Sequence, residues 1–216
     1  MQQIDLHTHQ IKKTGSLQIQ NVFAQDLPFD EPDQYFSAGL HPWHILKVNV
    51  EECFRAIDCV AEQKNMLAVG ECGLDRLIMT DFALQKWCFE QQIKLANDHC
   101  KPLIIHCVRS FSDLIKHKKE NKSGVPWIIH GFRGNLETTQ SLIKHEFYFS
   151  IGEPLLRDKN KLDVVRSIPV ERLFLETDES EVSISEIYSL AAQILAVDET
   201  ILTRIIANNF KNVFGT

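Results

Sequence analysis

Short apolar runs alternate with longer amphipathic segments along most of the chain. Runs such as MLAVG, PLIIH and PWIIH are nearly continuous in hydrophobic residues, as are strands that a parallel sheet buries on both faces. Between them, segments such as VEECFRAIDCVAEQK repeat apolar residues at helical spacing. This alternation predicts an α/β fold with parallel strands.

The pattern predicts eight strands and the helices between them. The strands are placed at residues 3–7, 17–24, 35–39, 66–70, 102–106, 126–130, 146–151 and 172–176. The helices are placed at residues 50–64, 81–99, 110–119, 135–144, 158–167, 184–196 and 198–214, with Asp81 and Asp198 as N-caps. Eight strands with interleaved helices favour a (β/α)8 TIM-type barrel, with an open doubly wound sheet as the alternative. Residues 14–34 leave little room for full helices, so we expect a barrel trimmed near the N-terminus.

Composition narrows the class of protein without naming its activity. The 216 residues are 44% hydrophobic and 24% charged and carry no repeat or linker, so we expect a single domain over residues 1–216. No run approaches the roughly 18 apolar residues of a membrane span, and the start does not resemble a secretory signal. Six scattered cysteines suit reduced thiols, which favours a cytoplasmic location. The net charge of −6 disfavours a large nucleic-acid footprint but leaves room for a small basic pocket.

Side chains that can bind metals fall at the carboxyl ends of the predicted strands. The set comprises His7, His9, Glu71, His106, His130 and Asp178. In a barrel these ends share one face, where the βα loops build the active site. Taken singly, each residue is readily explained as a buried histidine, a helix cap or an ion-pair partner; their joint placement is what favours a metal site.

The spacing and the chemistry of this set fit divalent cations. His7 and His9 are two positions apart in an extended strand, so their imidazoles point the same way. Four imidazoles and two carboxylates exceed the needs of one tetrahedral zinc, so we expect two ions sharing a bridging carboxylate. The candidates are zinc, manganese, magnesium, nickel and iron, and the sequence leaves the choice open.

These residues lie in motifs that resemble a known family. IDLHTH, AGLHPW, AVGECGLD, the helix leading to PLIIHC, IIHGF and IPVERLFLETD follow one another in the order of the TatD-like metal-dependent hydrolases, a branch of the amidohydrolase superfamily. The resemblance covers nearly the whole chain. It implies a (β/α)8 barrel and hydrolytic chemistry that is often nuclease activity on DNA.

The resemblance also implies roles for individual residues. His7, His9, Glu71 and Asp178 would hold one metal ion, and Glu71, His106 and His130 the other, with Glu71 as the bridge. Asp178 would orient the attacking water and accept its proton, so Asp178 and Glu71 are the predicted catalytic residues.

The rim of the predicted site departs from the family pattern. Arg109 stands three residues after His106 rather than two, HGFRG introduces Arg133, and the ETD motif continues as ETDES into an acidic stretch. We assign Arg76, Arg109 and Arg133 as candidate substrate-binding residues, because guanidinium groups bind phosphates well. His41 is a further candidate, because it also follows the end of a predicted strand. Trp43 and Phe132 are candidates for stacking on a base, with core packing as the alternative.

The sequence therefore predicts a metal-dependent deoxyribonuclease that acts on DNA or a small phosphorylated substrate. The acidic stretch after Asp178 favours an alternative, an amidohydrolase-type hydrolase of a small ester, amide or phosphate. A metal-stabilised binding protein without activity is a third hypothesis. A PHP-type phosphoesterase is less favoured, because the later Asp-x-His pair of that class is absent from the sequence.

Overall fold

All eight predicted strands form in the computed structural model, which describes residues 2–12, 15–121 and 123–215. The strands are β1 Ile4–Thr8, β2 Leu17–Phe23, β3 Tyr35–Gly39, β4 Met66–Asp75, β5 Leu103–Val108, β6 Trp127–Ile129, β7 Tyr148–Ile151 and β8 Leu173–Leu175. The helices are α1 Val50–Val60, α2 Phe82–Asp98, α3 Phe111–Asn121, α4 Leu136–Lys144, α5 Glu153–Leu156, α6 Leu162–Ser167, α7 Ile184–Leu195 and α8 Glu199–Phe214. The predicted helix over 158–167 is shorter in the structure, where α6 covers its last six residues, and α5 is a short helix before it that the pattern did not predict.

The order of the strands in the sheet decides between the two predicted architectures. All eight belong to one sheet in which each strand lies beside its neighbours in the chain. Helices alternate with the strands from β3 onward, whereas a doubly wound sheet has a permuted strand order. The prediction of a (β/α)8 barrel is confirmed. It is trimmed as predicted, because among the described residues only the 3-10 turn Ala24–Asp26 lies between β2 and β3.

The chain divides into two compact units, which are described separately. The central unit, Gln20–Ile128, contains β3, β4 and β5 as parallel neighbours, with Phe36 beside Met66 and Gly73 beside His106. Helix α2 packs on β4 and buries Phe89 and Ile93. Strand β4 runs past its predicted end to Asp75, so Glu71 lies within the strand rather than after it.

The terminal unit comprises the residues up to Ile19 and those from Ile129 onward. Strands β7 and β8 pair in parallel, and an isolated parallel bridge joins Thr8, at the end of β1, to Asp178. Helices α7 and α8 pack against each other, and the Tyr188 hydroxyl bonds to both backbone groups of Ile4.

Helix starts follow the side-chain chemistry of the sequence. Asp81 accepts a hydrogen bond from the Leu84 amide, and Asp198 accepts from the amides of Thr200 and Ile201, so both predicted N-caps are confirmed.

Within the described ranges, no helix is both long and apolar enough to cross a lipid bilayer.

Candidate metal centre

The terminal unit brings four of the predicted ligands together. His7 lies within β1, His9 directly after it, His130 directly after β6, and Asp178 three residues after β8. The Oδ1 atom of Asp178 is 3.8 Å from His7 Nε2 and 3.4 Å from His9 Nε2. The rings of His7 and His130 are 4.3 Å apart between centroids. We call His7, His9, His130 and Asp178 the terminal cluster.

Backbone hydrogen bonds hold Asp178 between His7 and His9. Its amide donates to the carbonyl of His7 at 2.9 Å, and its own carbonyl accepts from the His9 amide at 3.3 Å. Asp178 has a φ of 54°, a left-handed conformation that aspartate adopts more readily than most residues. This bridge aligns the carboxylate with both imidazoles.

Thr177, one residue earlier, fixes the same segment to a buried carboxylate. Its amide and hydroxyl donate to the two oxygens of Asp5 at 2.9 and 2.7 Å. Burial raises the pKa of Asp5 to about 6, and the hydrogen bonds from Thr177 limit that rise. The IDLHTH and ETD motifs are therefore joined by an internal carboxyl–threonine contact.

Glu176 stands behind His130 and is fully buried. Its Oε1 accepts from the Gly131 amide and lies 3.6 Å from His130 Nδ1. Burial alone would raise the pKa of Glu176, but the contact with His130 and the nearby His7 lower it below its usual value. A buried carboxylate in this position orients the imidazole in front of it.

The central unit holds a second group of metal-capable side chains. Glu71 Oε1 lies 3.0 Å from His106 Nδ1 and 3.1 Å from His41 Nε2. Glu71 and His41 are buried, and the side chain of His106 is 13% exposed. The ligand atoms of the three side chains lie within 4.8 Å of one another. We call His41, Glu71 and His106 the central cluster.

Asp75 supports the central cluster from the end of β4. Its Oδ2 lies 3.3 Å from His106 Nε2 and accepts from the indole Nε1 of Trp43 at 2.8 Å, and its Oδ1 accepts from the Leu77 amide. Burial opposes ionisation of Asp75, but these hydrogen bonds outweigh it and lower its pKa to about 2. Asp75 is thus an anion that fixes both His106 and Trp43.

Two glycines of the GECGLD region let β4 approach β5 closely. Gly70 and Gly73 have φ values of 150° and 143°. A Cβ atom on Gly70 would collide with the carbonyl oxygen of Ile104, and one on Gly73 with that of His106. The strand that carries Glu71 can therefore lie against β5 only with glycine at these positions.

The three predicted phosphate-binding arginines lie in different surroundings. Arg76 donates to Asp113 at 2.8 Å and stacks over Phe82. Arg109 is exposed directly after β5. Arg133 is exposed on a cavity of about 390 Å³ whose lining includes Glu153, Glu176, Asp178, Glu179 and Glu181. Phe132 is buried in the core, whereas Trp43 is exposed at the rim.

The donor sets of both clusters fit a divalent metal ion. Each combines imidazole nitrogens with a carboxylate oxygen, the ligands that zinc, manganese and iron share. Buried carboxylates stand behind His106 and His130, as is typical of metal-binding histidines.

The structure places three further side chains, His41, Asp75 and Glu176, in contact with the candidate ligands. The substrate-binding role of His41 stays a prediction; its side chain is buried, with Nε2 3.1 Å from Glu71 Oε1. Its position two residues after β3, in the GLHP motif, matches the strand-end rule that found the other histidines. Asp75 belongs to the GECGLD motif and Glu176 to the ETD motif. The sequence pattern does not show which histidine each carboxylate will contact, because the partners are distant in the chain.

Comparisons with known proteins agree on one family. A family model described as TatD related DNase matches residues 8–215. The uncharacterized metal-dependent hydrolase YjjV of Escherichia coli K12 is 32% identical over 165 residues, covering 72% of this chain and 62% of YjjV. The deoxyribonuclease Tat-D of Schizosaccharomyces pombe is 32% identical over 117 residues, covering 52% of this chain and 38% of Tat-D. The chain thus matches less than two thirds of the length of either relative.

The fold is shared with a solved structure. The crystal structure of YjjV, described as a TatD homologue, superposes with a TM-score of 0.85 at 21% identity, covering 99% of this chain and 98% of that one. At this identity the likeness establishes the fold alone, and it does so along nearly all of both chains.

Proposed function

Because the chain belongs to the TatD related DNase family, we propose that it is a divalent-metal-dependent hydrolase that cleaves phosphodiester bonds, with DNA as its substrate. The observation that carries the proposal is the pair of metal-capable clusters formed by side chains on the barrel strands and on the loops directly after them. Residues of this type at the carboxyl ends of barrel strands are where barrel enzymes carry out their chemistry.

We assign one metal ion to each cluster. His7, His9 and Asp178 would hold one, and Glu71 and His106 the other, with His41 as a further ligand. The resemblance groups His130 with Glu71 and His106, whereas we place it beside the first ion because its ring lies 4.3 Å from that of His7. The bridging role of Glu71 stays a prediction. When bound, such ions acidify water and stabilise negative charge on an ester oxygen under attack.

The protein's own side chains then orient the reactants and move the proton. The carboxylate of Asp178 is 36% exposed and lines the cavity next to Arg133, so it can accept a proton from an attacking water at a carboxylate oxygen. The guanidinium of Arg133 would bind a phosphate oxygen of the substrate. Glu176 and Asp75 keep the imidazoles of His130 and His106 in place.

A second candidate function is hydrolysis of a small ester, amide or phosphate. It is favoured by the cavity beside Asp178, where Arg133 faces the acidic side chains of Glu153, Glu179 and Glu181. Carboxylates at this rim repel a polyanion such as DNA more than a compact substrate. A panel of chromogenic esters and amides, run beside single-stranded and duplex DNA, separates the two functions.

Metal removal and two isosteric variants test the proposal. We expect chelation to abolish hydrolysis of bis-p-nitrophenyl phosphate and of DNA, and added metal to restore it. Glu71→Gln and Asp178→Asn should each lower kcat about 100-fold or more while the circular dichroism spectrum is unchanged. Glu137→Gln, at an exposed carboxylate on α4, is the matched control and should keep full activity. Full activity in either site variant would contradict the mechanism.

We propose a single domain over residues 1–216 and a cytoplasmic location. The location is supported by the six cysteines, all of which lie in the described ranges as free thiols.

A further inference from the structure

An apolar cleft opens beside the central cluster. It has a volume of about 340 Å³ and is lined by Trp43, Leu46, Lys47, Ile78, Met79 and Thr80. We call it the Trp43–Met79 cleft. Three of its large side chains are turned toward solvent, with Trp43 53%, Leu46 66% and Met79 96% exposed. A contiguous group of exposed apolar side chains is a common feature of binding surfaces.

The cleft is built by the loops that follow β3 and β4. His41 lies in the first of these loops, and Glu71 lies in β4. Trp43 belongs to the loop after β3, and Ile78 and Met79 to the loop after β4. The ring of Trp43 lies 4.9 Å from that of His41 and 5.8 Å from that of His106, between centroids. One wall of the cleft is therefore in contact with the central cluster.

Trp43 is held rigidly although half of it is exposed. Its indole Nε1 donates to Asp75 Oδ2 at 2.8 Å, and its backbone amide donates to His41 Nδ1 at 3.1 Å. These bonds fix the polar edge of the indole, so the ring orientation is set before any ligand arrives. A fixed aromatic surface binds a flat partner without losing rotational freedom of its own.

We propose that the Trp43–Met79 cleft binds one nucleobase of the substrate strand, stacked on the Trp43 ring; this inference rests on the proposed function. A single sugar joins a base to its phosphate, so a base in the cleft places its phosphodiester beside the adjoining cluster. Exposed Lys47 in the lining complements the negative charge of the strand. Bases in a duplex are already stacked, so the cleft selects single-stranded DNA or a frayed end.

A binding experiment without turnover tests the cleft independently of catalysis. Binding is measured in excess EDTA by the fluorescence anisotropy of fluorescein-labelled tetrathymidylate and of the same labelled tetramer carrying abasic tetrahydrofuran residues. The label is on the ligand, so the same readout serves the wild type and every variant, including those at Trp43. The base-bearing tetramer should bind about tenfold more tightly than the abasic one, the usual scale of base–aromatic stacking. In Met79→Ala this ratio should fall toward one.

Control variants separate the cleft from general surface effects. Leu136→Ala removes an exposed leucine on α4, far from the cleft residues in the chain, and should leave the ratio unchanged. Trp43→Phe keeps a ring but loses the bond to Asp75, so it should lower the ratio less than Trp43→Ala does. Equal binding of both tetramers by the wild-type protein, or an unchanged ratio in Met79→Ala and Trp43→Ala, overturns the inference.

Kinetics with the metal-loaded protein distinguish this inference from the proposed function. The p-nitrophenyl ester of thymidine 5′-phosphate should show a KM about tenfold below that of methyl p-nitrophenyl phosphate, and Met79→Ala should abolish the difference. Hydrolysis of both esters with equal KM contradicts the cleft and leaves the phosphodiesterase activity standing. Base-dependent binding without hydrolysis of any phosphodiester supports the cleft and contradicts the proposed function.

Discussion

Thr177 connects two motif segments that lie far apart in the sequence. Its hydroxyl donates to Asp5 and lies 3.1 Å from the hydroxyl of Thr8, while its amide bonds to the other oxygen of Asp5. Asp5 is 3% exposed, so it depends on these donors in place of water. The next residue, Asp178, takes its position from the same stretch of β1.

Replacing Thr177 by valine tests this connection. The change keeps the shape of the side chain but leaves one oxygen of Asp5 buried without its donor, so we expect the free energy of unfolding to fall by about 1–3 kcal/mol. Urea denaturation monitored by circular dichroism measures it. Thr200→Val, at an exposed position in α8, should change stability by less than about 0.5 kcal/mol. Equal stability of Thr177→Val and the wild type would mean that the contact with Asp5 is not stabilising.

At the scale of single residues, the sequence indicated the candidate metal ligands more readily than the buried carboxylates that contact those ligands. His7, His9, His106 and His130 could be predicted because each follows or ends an apolar run. Asp75 and Glu176 act through polar contacts with residues distant in the chain, and only folding reveals those partners. Trp43 and Phe132 looked alike in the sequence, yet one is exposed and the other buried.

Helix α2 shows how an element can position a site without contributing a ligand to it. Its buried face carries Gln85 and Gln92 among apolar side chains. Gln92 accepts from the Leu40 amide at 2.7 Å and donates to the Leu40 carbonyl at 3.1 Å, next to His41. Gln85 makes the same pair of bonds to the backbone of Asp75. Helical periodicity predicted the helix, but it could not predict buried glutamines, because their partners are backbone groups of other segments.

The packing of α3 against α2 predicts a pH dependence of stability. His117 of α3 is 4% exposed, with its ring 5.7 Å from that of Phe89 and its Nδ1 3.4 Å from Glu90 Oε1. Burial lowers the pKa of His117, and nearby Lys86 lowers it further, while Glu90, Glu120 and Asp113 oppose the shift. The folded state therefore holds this imidazole neutral at a pH where the unfolded chain protonates it.

The sign of the effect follows from linkage. Above the ordinary histidine pKa of 6.5 both states are neutral, and the full stability is present. As the pH falls below 6.5 the unfolded state binds a proton first, so the folded protein loses stability down to its own lowered pKa. Urea denaturation from pH 8 to pH 5 should show a steeper loss in the wild type than in His117→Gln. Parallel curves for the two proteins would show that His117 does not titrate differently in the two states.

At the scale of the whole molecule, the order of strands and helices was readable from the chain because a barrel of parallel strands buries continuous apolar runs. The observed bounds of the strands and helices differ from the predicted bounds mainly where the backbone is irregular. Strand β4 continues through the glycines of GECGLD, which ordinarily end strands, because the close approach to β5 requires them. The substrate could not be predicted in the same way, since it depends on side chains at the rim.

Metal binding should raise the thermal stability of the protein as a whole. Ions that bind only the folded state stabilise it by about 2.7 kcal/mol at a concentration 100 times the Kd, which for a chain of this size raises Tm by roughly 5–10 °C. Differential scanning fluorimetry of chelated protein with added zinc or manganese measures the shift. It should be smaller in Asp178→Asn and unchanged in Glu137→Gln. The same Tm with and without every divalent metal tested would contradict metal binding.

The bridge between Thr8 and Asp178 also determines when, during synthesis of the chain, the terminal cluster can form. The two residues are 170 positions apart, so β1 leaves the ribosome long before its partner is synthesised. Until then the imidazoles of His7 and His9 lack the carboxylate of Asp178, which lies within 4 Å of both in the folded protein. The terminal cluster therefore forms late, and nascent chains that stall before residue 178 should fail to retain metal there, however well their first strands have folded.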